Sequence, residues 1–163
     1  MEEKHSASRV KALKILGNRS LSVKELKKRL INKGESEETA QETVDWLCEI
    51  GLVDDAEYAR SIVKHYIGKG YGMARVKNEL FKRGIPRDMW DDALGEPDNA
   101  DVNDAAYEFF KNKLKGSTES GDMKRASDAL IRRGFSYEEA RLAKRRFLEE
   151  HEFGSEETGD VEW

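Results

Sequence analysis

The sequence predicts an all-α protein built as three tandem three-helix repeats in an elongated, curved array. Three observations carry that expectation. The segments Ser22 to Val44, Gly72 to Leu94 and Asp122 to Lys144 align with one another without gaps, with Gly34, Gly84 and Gly134 at equivalent places, and self-similarity at a fixed period is the mark of a repeat architecture. The chain is dense in Leu, Ala, Glu, Lys and Arg and has only two prolines, Pro86 and Pro97, so helix formers dominate. Within each copy the apolar residues recur at helical spacing, which puts them on one stripe facing a core.

Repeat one is read over 8–51, repeat two over 54–96 and repeat three over 103–150. Each begins with an amphipathic helix, carried by Val10, Leu13 and Leu16, then by Tyr58, Ile62 and Tyr66, then by Ala106, Phe110 and Leu114. Asp54 with Glu57 caps the second of these. A middle helix follows, with Ser22, Gly72 or Asp122 as its N-cap, and Ser22 with Glu25 forms a capping box. Val23/Met73/Met123, Leu26/Val76/Ala126 and Leu30/Leu80/Leu130 supply its stripe. Gly34, Gly84 and Gly134 then fall where a left-handed residue ends a helix, with Ile85 and Phe135 packing back on Leu80 and Leu130. Glu35 stands in the first copy instead, which predicts a weaker cap there. The last helix starts near Ser36, Pro86 or Ser136, and Ser136 with Glu139 is a second capping box. Its inward column runs Ala40/Trp90/Ala140 and Val44/Leu94/Lys144, continuing to Leu47 and Phe147, and Lys144 breaks it. Trp46 and Trp90 are expected in the core or at a repeat interface. A unit of this size buries little by itself, and stacking copies covers the faces each would expose.

Charged residues make up 38% of the 163-residue chain and hydrophobic ones 37%. A charged share so far above the usual ~25% fits a protein with much surface for its volume. The net charge is −4, yet the segment 151–163 carries five acids and no Lys or Arg, so the rest of the chain is slightly basic. That segment lacks periodicity and is read as an acidic disordered tail. The pI of 5.6 is far below the ~9 of a domain dedicated to nucleic acid, so any contact with DNA phosphates is expected to be local and weak. Cys48 is the only cysteine, and charged residues occupy the N-terminus where a signal peptide would be apolar. The expectation is a cytoplasmic monomer with no membrane contact.

Residues that could carry chemistry are few. His5, His65 and His151 lie far apart, and neither a metal-binding nor a nucleophile–base arrangement is present, so no catalytic residue, metal site or cofactor is predicted and the chain is read as no enzyme. Gly68-Lys69-Gly70-Tyr71-Gly72 superficially suggests a phosphate loop but lacks the GK[ST] ending and the preceding strand. It is read as a glycine-rich connection, with Tyr71 able to present an aromatic ring to a partner. Cations precede each repeat glycine: Lys33, then Lys82 and Arg83, then Arg132 and Arg133. They complement a helix C-terminus without any ligand, and in an array they also form a spaced stripe for phosphates or carboxylates. Repeat three adds Arg141 and Arg145, i, i+4 neighbours, in the densest basic stretch. Tyr71, Lys82, Arg83, Arg132, Arg133, Arg141 and Arg145 are therefore the candidate partner-binding residues.

The order of Ala12-Leu13, Leu16, Arg19-Ser20, Glu25-Leu26, Leu30 and Gly34, then Gly51-Leu52-Val53-Asp54-Asp55 with Tyr58-Ala59, then Gly70-Tyr71-Gly72, Glu79-Leu80 and Arg83-Gly84-Ile85 resembles the RecX family of bacterial recombination regulators. The resemblance covers about 12–148. It implies a non-enzymatic modulator, mainly an inhibitor, of the RecA recombinase, lodged along the RecA–DNA filament and restraining strand exchange and the coupled ATP hydrolysis. The residues by themselves leave two further readings open: an autonomous DNA-binding helical-repeat protein, and a helical adaptor unrelated to nucleic acid.

Overall fold

The computed structural model describes residues 2–95 and 99–156, and among these all regular structure is helical. The helices are α1 (Glu2–Leu16), α2 (Val23–Asn32), α3 (Glu37–Glu49), α4 (Asp55–Gly68), α5 (Met73–Lys82), a 3₁₀ turn (Arg87–Met89) running into α6 (Trp90–Leu94), α7 (Asn99–Leu114), α8 (Ser120–Arg132) and α9 (Tyr137–Glu156). The backbone divides into two compact units, Met1–Lys64 with Lys77–Gly95 and His65–Val76 with Glu96–Trp163. The boundary cuts α4 and α5, so the middle repeat is shared between the units.

The starts and stops follow local chemistry. Ser22 accepts the Glu25 amide while the Glu25 carboxylate accepts the Ser22 amide, and Ser136 with Glu139 does the same for α9. Asp54 caps α4 through the Glu57 amide at 3.1 Å. The three repeat glycines have φ of +98°, +74° and +100°. In each copy the residue after the glycine donates to the carbonyl five positions back: Glu35 to Leu30, Ile85 to Leu80 and Phe135 to Leu130, at 3.0–3.1 Å. This is the paired hydrogen-bond pattern of a glycine-terminated helix. Glu35 therefore does not weaken the backbone cap of α2. It replaces the apolar contact of Ile85 and Phe135 with an ion pair to Lys11 at 2.7 Å.

In the first unit α1, α2 and α3 pack on one another around Ala12, Leu21, Leu26, Leu30, Ala40, Val44, Leu47 and Val53. The predicted face of α1 is corrected here. Val10 and Leu13 are 49% and 42% exposed, and Ser8 and Ala12 are fully buried instead. Small residues let α1 approach α3 closely, and Ser8 Oγ meets Thr43 Oγ1 at 2.7 Å while Thr43 donates back to the Thr39 carbonyl. The polar pair is buried without penalty because both hydroxyls are satisfied. Trp46 is half-buried with the Arg9 guanidinium 4.1 Å from its ring, and Trp90 is half-buried with its indole N–H on the Ile85 carbonyl at 3.0 Å. Both sit at the edge of packing rather than at its centre.

In the second unit α7, α8 and α9 pack together around Phe110, Met123, Ala126, Leu130, Phe135, Ala140 and Phe147, with Phe110 and Phe147 edge to face at 5.7 Å. Two expectations change. α8 begins at Ser120, with Glu119 rather than Asp122 at its N-cap position. The longer connection has wound into an extra turn, held where Asp122 accepts from Ser117 Oγ at 2.6 Å. Lys144 is exposed, and Ala143 takes the inward place beside Ala140 and Phe147, so the helix face rotates by one residue rather than burying a charge. α9 also continues through the start of the expected tail as far as Glu156, and 157–163 lie outside the described residues.

Candidate partner-binding surface

The same backbone join occurs once in each unit. In the first, the Ser22 hydroxyl donates to the Arg83 carbonyl. In the second, the Gly72 amide donates to the Arg133 carbonyl at 3.0 Å and the Ala74 amide to the Gly134 carbonyl at 3.1 Å. Each join sets the N-terminus of one repeat's middle helix on the glycine-terminated end of the next repeat's middle helix. Helix N-termini carry unpaired amides and helix C-termini unpaired carbonyls; the second join pairs the two directly, and the first satisfies the carbonyl through a side chain.

The two joins differ in tightness. A methyl at Gly72 would lie 2.2 Å from the Gly134 carbonyl carbon, and one at Gly134 would lie 2.6 Å from the Arg75 nitrogen. Neither position has room for a Cβ. Gly84 faces the stem of Lys24, whose Cδ is 2.7 Å from where a Cβ would sit, and Gly34 has nothing within 4 Å.

The Gly70-Tyr71-Gly72 segment is thereby accounted for by packing. Gly70 has φ +79°, and Gly72 makes the contact just described. Arg133 donates from Nε to the Gly70 carbonyl at 2.9 Å and from a terminal nitrogen to the Lys69 carbonyl at 2.7 Å. Its guanidinium lies 4.2 Å from the Tyr71 ring centre and 4.8 Å from that of Phe109, and Arg75 approaches Tyr71 from 5.3 Å. Two charge-assisted hydrogen bonds and two ring contacts make Arg133 a clasp on the α4–α5 connection. Tyr71, half-buried under Arg133, is part of that clasp.

In the first unit, Arg83 donates to the Tyr58 hydroxyl at 2.7 Å and lies 3.5 Å from Glu79, which is itself buried. Lys82 reaches Glu79 only at 4.0 Å. Burial pushes the Tyr58 phenol above its ordinary value, and the Arg83 hydrogen bond pulls the other way. Asp55 is buried beside this join and accepts the Val23 amide at 2.9 Å, adding to the cap of α2 across 32 residues. Its carboxyl is pushed above the usual carboxylate range by burial, with the Val23 hydrogen bond opposing.

The three arginines of α9 are paired with acids. Arg141 makes a two-pronged bond to Glu138 at 2.6 and 3.1 Å, which holds Glu138 below the usual carboxylate range. Arg145 lies 3.7 Å from Glu149. Arg146 bonds Asp104 and Glu150 and covers the Tyr107 ring at 3.9 Å. Arg132 is exposed and has no hydrogen bond or ion pair among the described residues. Of the candidate residues, then, Tyr71 and Arg133 come together in the clasp, Arg83 is engaged in the first unit, Arg141 and Arg145 are surface ion pairs, and Lys82 and Arg132 keep their charge available.

A groove of about 540 Å³ lies in the first unit between α2 and the end of α5, lined by Lys24, Lys28, Arg29, Asn32, Phe81, Lys82 and Arg83 among others. Apart from Lys82 and Arg83, these residues escaped the sequence reading. The signal available was the i, i+4 spacing of Lys24 and Lys28, which on its own describes any solvated helix face. Among the described residues no His, Cys, Asp and Glu group could hold a metal ion, and no helix is long and apolar enough to cross a membrane.

Two family models match the chain: the first three-helix domain of RecX over residues 9–47 and the second over 54–94. The regulatory protein RecX of Xanthomonas axonopodis pv. citri is 32% identical over 142 residues, covering 86% of this chain and 87% of the relative. That of Pseudomonas putida strain GB-1 is 31% identical over 131 residues, covering 79% and 83%. The crystal structure of RecX from Lactobacillus salivarius superimposes with a TM-score of 0.80 at 20% identity, over 90% of this chain and 97% of that one, so the fold is the same. The tandem three-helix domains, the glycine-terminated middle helices and these relatives lead to one conclusion: the chain belongs to the RecX family of regulatory proteins.

Proposed function

We infer that this chain is a non-enzymatic modulator, mainly an inhibitor, of the RecA recombinase, acting by lodging along the RecA–DNA filament and restraining strand exchange and the coupled ATP hydrolysis. The observation that supports the reading is the match of both RecX three-helix domains, in order, to 9–47 and 54–94. A filament offers the same subunit surface at regular intervals, and a chain whose repeats share one backbone plan can offer the same kind of contact more than once. Weak contacts linked on one chain gain through effective concentration. In this reading the protein is a cytoplasmic monomer with repeat domains at 8–51, 54–96 and 103–150 and an acidic segment at 151–163. Lys82, Arg132, Arg141 and Arg145 are its outward polar contacts, to partner carboxylates or DNA phosphates.

The test adds substoichiometric amounts of the protein to RecA and follows single-strand-dependent ATP hydrolysis and strand exchange. Both rates should fall. A folded sample that leaves both unchanged overturns the reading and favours an adaptor unrelated to recombination.

A further inference from the structure

We propose that the groove between α2 and the end of α5 binds single-stranded nucleic acid, with phosphates on Lys24, Lys28 and Arg29 and a base stacked on Phe81. The proposal deepens the function inferred above by naming a surface that would meet the strand. The groove lies wholly within the first unit, and its volume of about 540 Å³ is in the ~300–1,000 Å³ range of ligand sites.

Its charge is predominantly positive, with five cations against one carboxylate in the lining. The side chains of Lys24, Lys28 and Arg29 have no hydrogen bond or ion pair among the described residues, and that of Lys82 has its 4.0 Å approach to Glu79. The single carboxylate in the lining, Glu25, is occupied in the capping box of α2. On α9, by contrast, Arg141, Arg145 and Arg146 are all paired with acids. In a chain of net charge −4, three neighbouring cations whose side chains have no acid partner make a local positive field that suits an anionic occupant.

Phe81 decides which anion. It is 70% exposed, where its counterparts Ile31 and Ile131 are 39% exposed and half-buried. Phe81 lines the groove as an exposed ring among cations, and an exposed flat ring offers a face on which a base can stack. Cations along a backbone with a ring offered to a base are the two parts of a single-strand site. A duplex has no unpaired base to stack, so the strand must be single.

The experiment titrates the full-length chain into a fluorescein-labelled 20-nucleotide oligo-dT and reads anisotropy from 50 to 200 mM salt. Phe81→Ala should weaken binding by ~10-fold at each salt concentration with an unchanged salt slope, and Phe81→Trp should retain affinity. Lys24→Gln with Lys28→Gln should reduce the slope of log K against log salt by ~1.4, two phosphate contacts at ~0.7 each. Arg60→Gln with Lys64→Gln, exposed on α4 and outside the groove lining, should change neither. Thermal melts of each variant should match the parent, since these side chains are exposed. Failure of the parent to bind at 50 mM salt, parental binding by the Phe81 and lysine variants, or a slope that falls for the α4 pair instead would each overturn the proposal. So would poly-glutamate competing as well as unlabelled oligo-dT, which would make the groove a site for an acidic protein segment. No recombinase is present, so this assay and the ATP hydrolysis assay fail independently.

Discussion

The two joins use one backbone plan and two chemistries. In the first unit a serine hydroxyl reaches the Arg83 carbonyl. In the second, Gly72 has lost its side chain, and main-chain amides reach the Arg133 and Gly134 carbonyls directly. The consequence extends to the neighbouring arginines. In the second unit the chains lie so close that Arg133 turns inward and clamps Lys69, Gly70 and Tyr71. In the first, a looser join leaves a groove whose lysines face outward. Closeness of backbones thus determines which repeat spends its cations on its own fold and which leaves them exposed.

The largest effect should come from filling the tight join. Gly72→Ala places a methyl 2.2 Å from backbone that cannot rotate away, and a loss of ~3 kcal/mol or a failure to fold cooperatively is expected in urea unfolding. Gly134→Ala should cost nearly as much, while Gly34→Ala, with the same φ sign but open space around it, should cost only the ~1–2 kcal/mol of left-handed strain. Equal losses at Gly34 and Gly134 would remove the distinction between the joins.

Opening the clasp comes next. Arg133→Gln removes two hydrogen bonds from a charged donor and its stacking on Tyr71 and Phe109, and ~2 kcal/mol should be lost. Hydrogen exchange should rise first at the amides around 69–72. Ser22→Ala in the looser join removes an N-cap acceptor and the bond to Arg83, for ~1 kcal/mol.

A smaller effect is read through pH. The Asp55 carboxyl is raised in the folded protein, so the fold holds its proton more tightly than the unfolded chain does. The associated stability is present below the unfolded value, ~3.9, and is lost as pH rises through the folded one. Asp55→Asn keeps an oxygen acceptor for the Val23 amide and should flatten that part of the stability curve. An Asn variant with the parent's slope between pH 3.5 and 6 would contradict the assignment. The smallest effect belongs to the surface: Arg141→Gln should leave the melting temperature unchanged, because an exposed pair such as Arg141 with Glu138 contributes little.

Much of this organisation is legible along the chain. The capping boxes at Ser22 and Ser136, the Asp54 cap and the three left-handed glycines follow from residues within four or five positions of one another. The inner stripe of α2, α5 and α8 is equally local, since Leu30, Leu80 and Leu130 are all fully buried. The sequence misleads at α1, where Val10 and Leu13 look like a core stripe but Ser8 and Ala12 face α3. Apolar periodicity finds the largest residues, whereas helices in close contact bury the smallest. In repeat three the sequence shows the cations but not their pairing: Arg141, Arg145 and Arg146 meet Glu138, Glu149, Glu150 and Asp104 on the surface.

The sequence by itself determined the helical class, the three copies, the glycine ends of the middle helices and membership of the RecX family. Each is written in periodicity, capping or residue order, which act over a turn or two of helix. Only the tertiary structure decided why Gly72 must lack a side chain, why Arg133 is a clasp and why Lys24, Lys28 and Arg29 are left with Phe81 around an open groove. Those outcomes depend on groups far apart in sequence coming together, as where the Gly72 and Ala74 amides lie 3.0 and 3.1 Å from the Arg133 and Gly134 carbonyls, and no local pattern encodes how closely two backbones will approach.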